Sequence, residues 1–166
     1  MTARVFVDTS AFYALASETD QEHVAARAIR EALKQDAAQL LTTNYVFLET
    51  VSLLQRRHGM EAAKRFGDFV GEEVELLWMT ESQHGAAWEY WKQRGLRGLS
   101  FVDCSCVAVM RELGIHQVFG FDEQFRAAGL ALLDAPPPPD RVAEPRSVHR
   151  IAAPARSRRA RSRHHA

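Results

Sequence analysis

The stretch RVFVDTSAFYAL, residues 4–15, predicts a buried strand that is followed directly by a helix. Residues 5–7 are apolar, β-branched or aromatic, which is typical of a strand inside a parallel sheet. Asp8 ends this run, and Thr9 and Ser10 favour the start of a helix. A carboxylate is therefore expected at the carboxyl end of the first strand, where open α/β sheets bind ligands. Asp8 taken alone is equally consistent with an ordinary turn residue.

The rest of the chain alternates between short apolar runs and amphipathic stretches, which predicts an α/β fold with a central parallel sheet flanked by helices. Further strands are predicted at residues 40–42, 74–79, 116–120 and 130–133. Helices are predicted at residues 23–35, 45–58, 60–70, 82–93, 101–113 and 124–128, with a loop at 95–99. Residues 19–22 predict a capping box before the first of these helices, and Thr43 or Asn44 is expected to cap the next.

The composition fits one globular domain, but the charge is unevenly distributed. The 166 residues are 46% hydrophobic and 25% charged, with a formal net charge of zero. Residues 1–134 carry 13 Lys and Arg against 19 Asp and Glu, whereas residues 135–166 carry 8 Arg against Asp140 and Glu144. Four prolines at 136–139 separate the two parts. We expect an acidic domain at 1–134 and a disordered, basic tail at 135–166.

Several classes of protein are disfavoured by the sequence. No apolar run approaches the ~20 residues of a membrane-spanning helix, and the N-terminus does not resemble a secretory signal. Cys104 and Cys106 are too close together for a disulfide framework and have no neighbouring His or Cys that would suggest zinc. A cytoplasmic location is the simplest expectation.

Three further carboxylates stand at positions that call for an explanation. Glu49 shares a helix face with Tyr45, Leu48 and Ser52, so it interrupts a partly apolar stripe. Because burial of an unpaired charge is costly, Glu49 is expected to have a partner, to bind a metal, or to reach solvent at the edge of the stripe.

Asp103 and Asp122 also combine a local role with a suggestive position. Asp103 fits a capping box that begins at Ser100, yet its helix face also carries Cys106 and Met110. Asp122 follows the strand at 116–120 as Asp8 follows the first strand, although it could simply cap a short helix. Carboxylates gathered at one place repel each other unless cations are present. Oxygen ligands without His or Cys favour Mg²⁺ or Mn²⁺ and hydrolysis of phosphate esters.

Four motifs around these carboxylates resemble the PIN-domain family, and more narrowly its VapC-type toxins. The motifs are VDTSAF at Asp8, TNYVFLET at Glu49, LSFVD at Asp103 and FGFDEQF at Asp122. The resemblance covers residues 4–133. It implies a Rossmann-like sheet, a Mg²⁺-dependent endoribonuclease (Mn²⁺ being possible), an RNA substrate, a small antitoxin protein as partner, a homodimer and no membrane.

The resemblance also implies roles for particular residues. The metal-binding and catalytic set would be Asp8, Glu49, Asp103 and Asp122. Ser10 or Thr9 would form hydrogen bonds near the site or position water, and Asn44 would lie close to the cleft. The antitoxin would bind beside the first helices, where the candidates are Phe12, Tyr13, Leu15 and Phe47, although simple packing in the core is the more common role for any one of them. His58, His84 and His116 are interpreted as surface or structural residues.

Other protein classes also have an Asp at the end of the first strand. A haloacid-dehalogenase-like phosphatase needs an Asp where Ser10 stands, and a receiver domain needs an acidic pair at the first strand. Two alternatives share the fold: a housekeeping RNA-processing nuclease, and a PIN-fold protein that binds RNA without cutting it.

Overall fold

The fold is built on a parallel sheet of five short strands. In a computed structural model that describes residues 2–94 and 98–137, these are β1 (Arg4–Val7), β2 (Gln39–Thr43), β3 (Glu75–Leu77), β4 (Gln117–Phe119) and β5 (Ala131–Leu132). The strand order is β3-β2-β1-β4-β5, and every pairing is parallel. The predicted fold class, a parallel sheet flanked by helices, is confirmed.

Helices connect the strands and cover the sheet. They are α1 (Thr9–Ala16), α2 (His23–Gln35), α3 (Asn44–His58), α4 (Met60–Glu73), α5 (Glu81–Arg94), α6 (Phe101–Leu113) and α7 (Gln124–Ala127). Helix α1 packs against α2, α3 and α4, and α5 packs mainly against α6. All the predicted helices are present.

The core lies where the sheet meets α1, α2, α3, α4 and α6. Val5, Phe6 and Val7 of β1 are almost completely buried, as expected for the central strand of a parallel sheet. Phe12 of α1 lies edge-on to Phe66 of α4, with 5.0 Å between ring centroids. These contacts fix the position of α1 and therefore of the residues that follow β1.

The strand order reverses at β1, and this reversal positions the candidate site. Phe6 pairs with Leu41 of β2 on one side and with Val118 of β4 on the other. The crevice between two strands that lead to opposite halves of an open sheet is where such folds bind ligands. Asp8 follows β1 and Asp122 follows β4, so both lie at this crevice.

Two local predictions were wrong. The expected capping box at 19–22 does not form, because the Asp20 carboxylate accepts the Glu22 amide and α2 begins at His23 without a side-chain cap. The strand predicted at residues 74–79 is shorter than expected. Strand β3 ends at Leu77 because the Met79 amide donates a hydrogen bond to the side chain of Asn44. Thr43, rather than Asn44, caps α3 through the Val46 amide.

The compact unit that contains the sheet ends at Pro136. Most of the predicted basic tail, residues 138–166, lies outside the described residues, as do residues 95–97 of the predicted loop. Within the described parts of the chain, no helix is long and apolar enough to cross a membrane.

Candidate active site

Asp8 lies at the centre of the site and is buried, with 3% of its surface exposed. It caps α1, and its Oδ2 accepts the Ser10 amide at 3.0 Å and the Ser10 hydroxyl at 2.7 Å. Its Oδ1 is also buried and has no hydrogen-bond partner among the described residues. Burial, with a smaller contribution from the charge of Asp103, raises the pKa of Asp8 to about 6. One buried carboxylate oxygen is therefore left without a hydrogen bond from the described residues.

Ser10 connects the end of β1 to the end of β4. Its hydroxyl donates to Asp8 and accepts the Phe121 amide at 3.0 Å. Between these strand ends, Gly120 lies so close to β1 that a Cβ there would be 3.1 Å from the Cβ of Asp8 and 3.3 Å from the Ser10 hydroxyl. A glycine thus permits the close approach that holds the Asp8 carboxylate in place.

Glu49 is held by Thr9. The Thr9 hydroxyl donates to Oε2 of Glu49 at 2.6 Å, which joins α1 to α3. Of the outcomes expected for Glu49, a polar partner and partial exposure are both found, because the face that it shares with Leu48, which is 66% exposed, and with the exposed Ser52 does not lie in the core. The core-facing side of α3 carries Val46, Thr50 and Leu54 instead. Glu49 lies half-buried on the open side of α3.

Asp103 has the local role that its sequence predicted and a second environment as well. Its Oδ2 accepts the Ser100 amide at 2.7 Å, and the Ser100 hydroxyl accepts the Asp103 amide, which completes the capping box. Partial burial, together with the nearby charges of Asp122 and Glu49, raises the pKa of Asp103. Cys106 and Met110 on the same helix are buried, as predicted.

Asp122 follows β4 and forms a turn rather than capping α7. Its Oδ1 accepts the Gln124 amide at 2.8 Å. The Gln124 side chain packs closely against Gly98. A Cβ atom added to Gly98 would lie only 2.5 Å from the side-chain amide nitrogen of Gln124. The short segment before α6 is thereby tied to the segment that carries Asp122.

The four carboxylates act on one another electrostatically. Asp103 raises the pKa of Asp8, while Asp122 and Glu49 raise that of Asp103. The Cys106 thiol is affected by the same charges. Burial raises its pKa well above the ordinary value, and the charges of Asp8, Asp103 and Glu49 raise it further.

Their present arrangement does not itself form a complete metal site. Among residues 2–94 and 98–137, no group of three or more His, Cys, Asp or Glu side chains is placed to hold one metal ion. Each of the four carboxylates has one oxygen bonded to a neighbouring hydroxyl or amide. The all-oxygen set and the unpartnered Oδ1 of Asp8 nevertheless suit a hard cation.

The remaining candidates have structural contacts. Asn44 ties α3 to the segment after β3 through Met79. His58 and His84 lie on the surface and bond the hydroxyls of Tyr13 and Tyr45, and His116 is exposed. Sequence reasoning missed Gly120 and Gln124, although the Gly in FGFDEQF was a visible signal of a close backbone approach.

Of two concave regions formed by the described residues, the smaller one adjoins the site. A cavity of about 400 Å³ beside Ser10 is acidic, lined by Asp20, Glu22, Asp122 and Glu123 among others. A groove of about 890 Å³ runs between α1, α2 and α4. Of the residues expected at an antitoxin groove, Phe12 and Leu15 line this one, whereas Tyr13 lines the smaller cavity and Phe47 stacks on Phe66.

Comparison with known proteins assigns the chain to a family. The profile of the PIN domain matches residues 5–130, and the chain therefore belongs to the PIN-domain family, whose members are metal-dependent nucleases. Over 126 residues, the chain is 35% identical to the 23S rRNA-specific endonuclease VapC20 of Mycobacterium tuberculosis, covering 75% of this chain and 94% of that protein.

Solved structures agree with this assignment. The crystal structure of M. tuberculosis VapC20, described as a sarcin-ricin loop cleaving toxin, matches with a TM-score of 0.73 and 33% identity, covering 78% of this chain and 98% of that one. VapBC2 from Rickettsia felis, bound to a promoter DNA fragment, matches with a TM-score of 0.61 and 12% identity, covering 78% and 97%. The second likeness supports the fold alone.

Proposed function

We propose that this chain is a Mg²⁺-dependent endoribonuclease that acts as the toxin of a toxin–antitoxin pair. The observation that carries the proposal is the buried Oδ1 of Asp8, which has no hydrogen-bond partner among the described residues, at the point where the strand order reverses. Since an unpaired buried charge is costly, this oxygen is expected to meet a cation in the working enzyme.

Asp8, Glu49, Asp103 and Asp122 would hold the metal, with Mg²⁺ or Mn²⁺ favoured by oxygen-only ligands. When bound, such a metal activates water and stabilises the leaving oxygen of a phosphodiester. Ser10 would keep Asp8 oriented from both strand ends, and Thr9 would do the same for Glu49. Ser10 and Thr9 are thus proposed as positioning residues.

The groove between α1, α2 and α4 is proposed as the antitoxin-binding surface. Its floor includes Phe12, Phe66 and Phe69, and its lining carries exposed charges of both signs, namely Arg27, Arg65, Glu18 and Glu31. An apolar floor with charges of both signs around it suits an amphipathic peptide segment. The chain is also proposed to form a homodimer, which would cover exposed apolar side chains such as Leu48 and Met60.

The catalytic proposal is tested with purified protein and RNA. The relatives' names make an RNA that contains the sarcin-ricin loop of 23S rRNA the first substrate to try. We expect cleavage with Mg²⁺ or Mn²⁺, none with a chelator, and none by Asp8→Asn, which keeps the shape of the side chain but loses its charge. Asp68→Asn, an exposed carboxylate on α4, is the matched control and should cleave normally.

The same experiment separates the alternatives. Absence of cleavage by the unmodified chain with either metal would favour a non-cleaving RNA-binding protein. Cleavage without growth arrest, or growth arrest that the product of a neighbouring gene does not relieve, would favour a housekeeping nuclease.

A further inference from the structure

Next to the acidic site lies a group of rings that the proposed chemistry does not use. The aromatic cluster consists of Tyr45, His84, Trp88, Trp91 and Phe101. Phe101 is its centre, with ring centroids 5.4 Å from His84, 5.8 Å from Trp88 and 6.2 Å from Trp91. Trp88 and Trp91 stack on each other at 5.2 Å.

Two helices, α3 and α6, each carry one ring of the aromatic cluster and one of the four carboxylates. Tyr45 precedes Glu49 by one turn of α3, and Phe101 precedes Asp103 by two residues at the start of α6. The charges of Glu49 and Asp103 are close enough to affect one another. Tyr45 and Glu49 share a face of α3, and the Tyr45 ring lies 6.4 Å from that of Phe101, so a substrate strand whose phosphate lies at the carboxylates has this cluster within reach.

We propose that the aromatic cluster is a stacking platform for unpaired bases of the RNA next to the bond that is cut. This proposal rests on the proposed ribonuclease function and deepens it. Trp88 is 45% exposed and supplies the accessible ring. Its ring stacks on Trp91 and contacts Phe101, and these contacts fix its position. The Tyr45 hydroxyl and Nδ1 of His84, which are 2.8 Å apart, add polar atoms at the rim that suit base edges.

The charge of the domain gives a reason for such a platform. Residues 1–134 carry a net charge of −6, so phosphates are repelled at a distance. Base stacking on aromatic rings does not depend on the sign of the charge and tolerates any base, since each base has a π face. Affinity gained through the bases can therefore offset repulsion of the backbone.

A second copy of the chain would be the other occupant of an exposed aromatic surface, but the surroundings of Trp88 favour RNA. Only Ala87 of α5 is buried, and exposed charges flank the tryptophan, including the ion pair between Glu89 and Lys92 at 2.7 Å. The cores of interfaces between copies are depleted of charged residues.

The test measures binding in the uncleaving Asp8→Asn chain with two probes of equal length. One is a labelled single-stranded RNA, and the other is the same ribose-phosphate strand without bases. Trp88→Leu, which keeps apolar bulk over Phe101 but removes the ring, should weaken binding of the base-containing RNA about fivefold or more. The effect should persist at high salt and be absent with the abasic strand.

Two matched variants sharpen the result. Trp88→Phe should restore most of the affinity because it restores a ring. Trp78→Leu removes another exposed tryptophan, which has no aromatic pair among the described residues, and should bind like the parent. Equal affinities for Trp88→Leu and its parent, or an equal loss with the abasic strand, would overturn the proposal.

Trp88→Leu could instead change the oligomeric state without changing the affinity for RNA. That result would assign the cluster to a contact between copies and would also overturn the proposal of a stacking platform. Failure of the underlying function is a separate result, because it would appear as an unmodified chain that does not cleave RNA in Mg²⁺ or Mn²⁺. An unmodified chain that cleaves RNA while Trp88→Leu binds normally would remove the stacking platform alone.

Discussion

At the level of single residues, Asp8 carries an energetic penalty that its environment explains. The carboxylate is buried, Ser10 satisfies only one of its oxygens, and Asp103 adds a like charge nearby. Ionisation of Asp8 in the metal-free protein is therefore opposed by burial and by repulsion. A site of this kind stores instability that a bound cation can relieve.

The pH dependence of stability follows from this penalty. The pKa of Asp8 rises from 3.8 to about 6 on folding, so the folded state holds the proton more tightly. This tighter proton binding stabilises the folded state fully below pH 3.8, and the stabilisation is lost as the pH rises through 6. The free energy of unfolding falls by about 3 kcal/mol at most over this range. In chelator, Asp8→Asn should melt at a higher temperature than the parent at pH 7.5 and at a similar temperature at pH 3.5.

Thermal melts with and without Mg²⁺ complete this test. Millimolar Mg²⁺ should raise the melting temperature of the parent more than that of Asp8→Asn, because it relieves repulsion that the variant lacks. Equal shifts in the two proteins would show that the stabilising cation does not bind at Asp8.

Gly120 is expected to matter for activity rather than for folding. Gly120→Ala places a methyl group 3.1 Å from the Cβ of Asp8, which must then move by a few tenths of an ångström. Since small misplacements at a reacting centre reduce rates strongly, we expect a loss of cleavage of about tenfold or more with little change in melting temperature. Gly71→Ala, whose methyl group would meet nothing within 4 Å, is the control and should cleave like the parent.

At the level of elements, the alternating pattern of the sequence predicted every helix and strand, but caps and faces were less certain. Residues 19–22 and Ser100 offer similar capping patterns, and only Ser100 forms the box. The difference lies in Asp20, whose carboxylate competes for the Glu22 amide at 2.8 Å. Such competition between neighbouring side chains is a matter of geometry, which the residue types do not determine.

The faces of α3 illustrate a second limit. Sequence spacing correctly grouped Tyr45, Leu48 and Glu49, but it could not tell which side of the helix meets the sheet. Helix α3 carries apolar residues on both sides, and packing against α1 and α4 selects the side with Val46 and Leu54 as the buried one. Tertiary contacts therefore left Glu49 half-buried on the open side of α3.

The groove between α1, α2 and α4 gives an element-level prediction. Ala28 of α2 lines the groove, and Ala28→Trp should fill it and reduce binding of the antitoxin at least tenfold without affecting RNA cleavage. Ala25→Trp, on the same helix but not in the groove lining, is the matched control. Co-purification with the product of the neighbouring gene measures the effect, and unchanged binding by Ala28→Trp would move the antitoxin elsewhere.

At the level of the whole molecule, the sequence predicted that Asp8 and Asp122 follow neighbouring strands, which the structure confirms, whereas the metal-binding role of the four carboxylates stays a prediction. The sequence could not predict the contacts that bring distant segments together, such as Gly120 against Asp8 or Gly98 against Gln124. These contacts join residues far apart in the chain; the glycine in FGFDEQF signals a close approach but does not identify the residue that it approaches. The resemblance to the PIN domain supplied the grouping that single residues left open.

The charge asymmetry of the chain leads to a further prediction, which concerns residues 135–166. We propose that their 8 Arg raise affinity for RNA and are dispensable for folding and chemistry. Truncation after Asp134 should weaken RNA binding at low salt and make little difference at high salt, where charges are screened. If the truncated chain binds and cleaves RNA better at low salt, the basic segment is inhibitory instead.

The order of the strands also has a consequence in time. Strand β1 is made near the start of synthesis, whereas its partner β4, together with Asp103 and Asp122, comes only after residue 100. At about 5–20 residues per second, Glu49 precedes Asp122 by several seconds. The helices that form the groove are all complete by Glu73. We therefore expect a growing chain to offer a docking surface to its antitoxin before it can cut RNA, which ribosome-bound chains stopped at successive lengths would reveal.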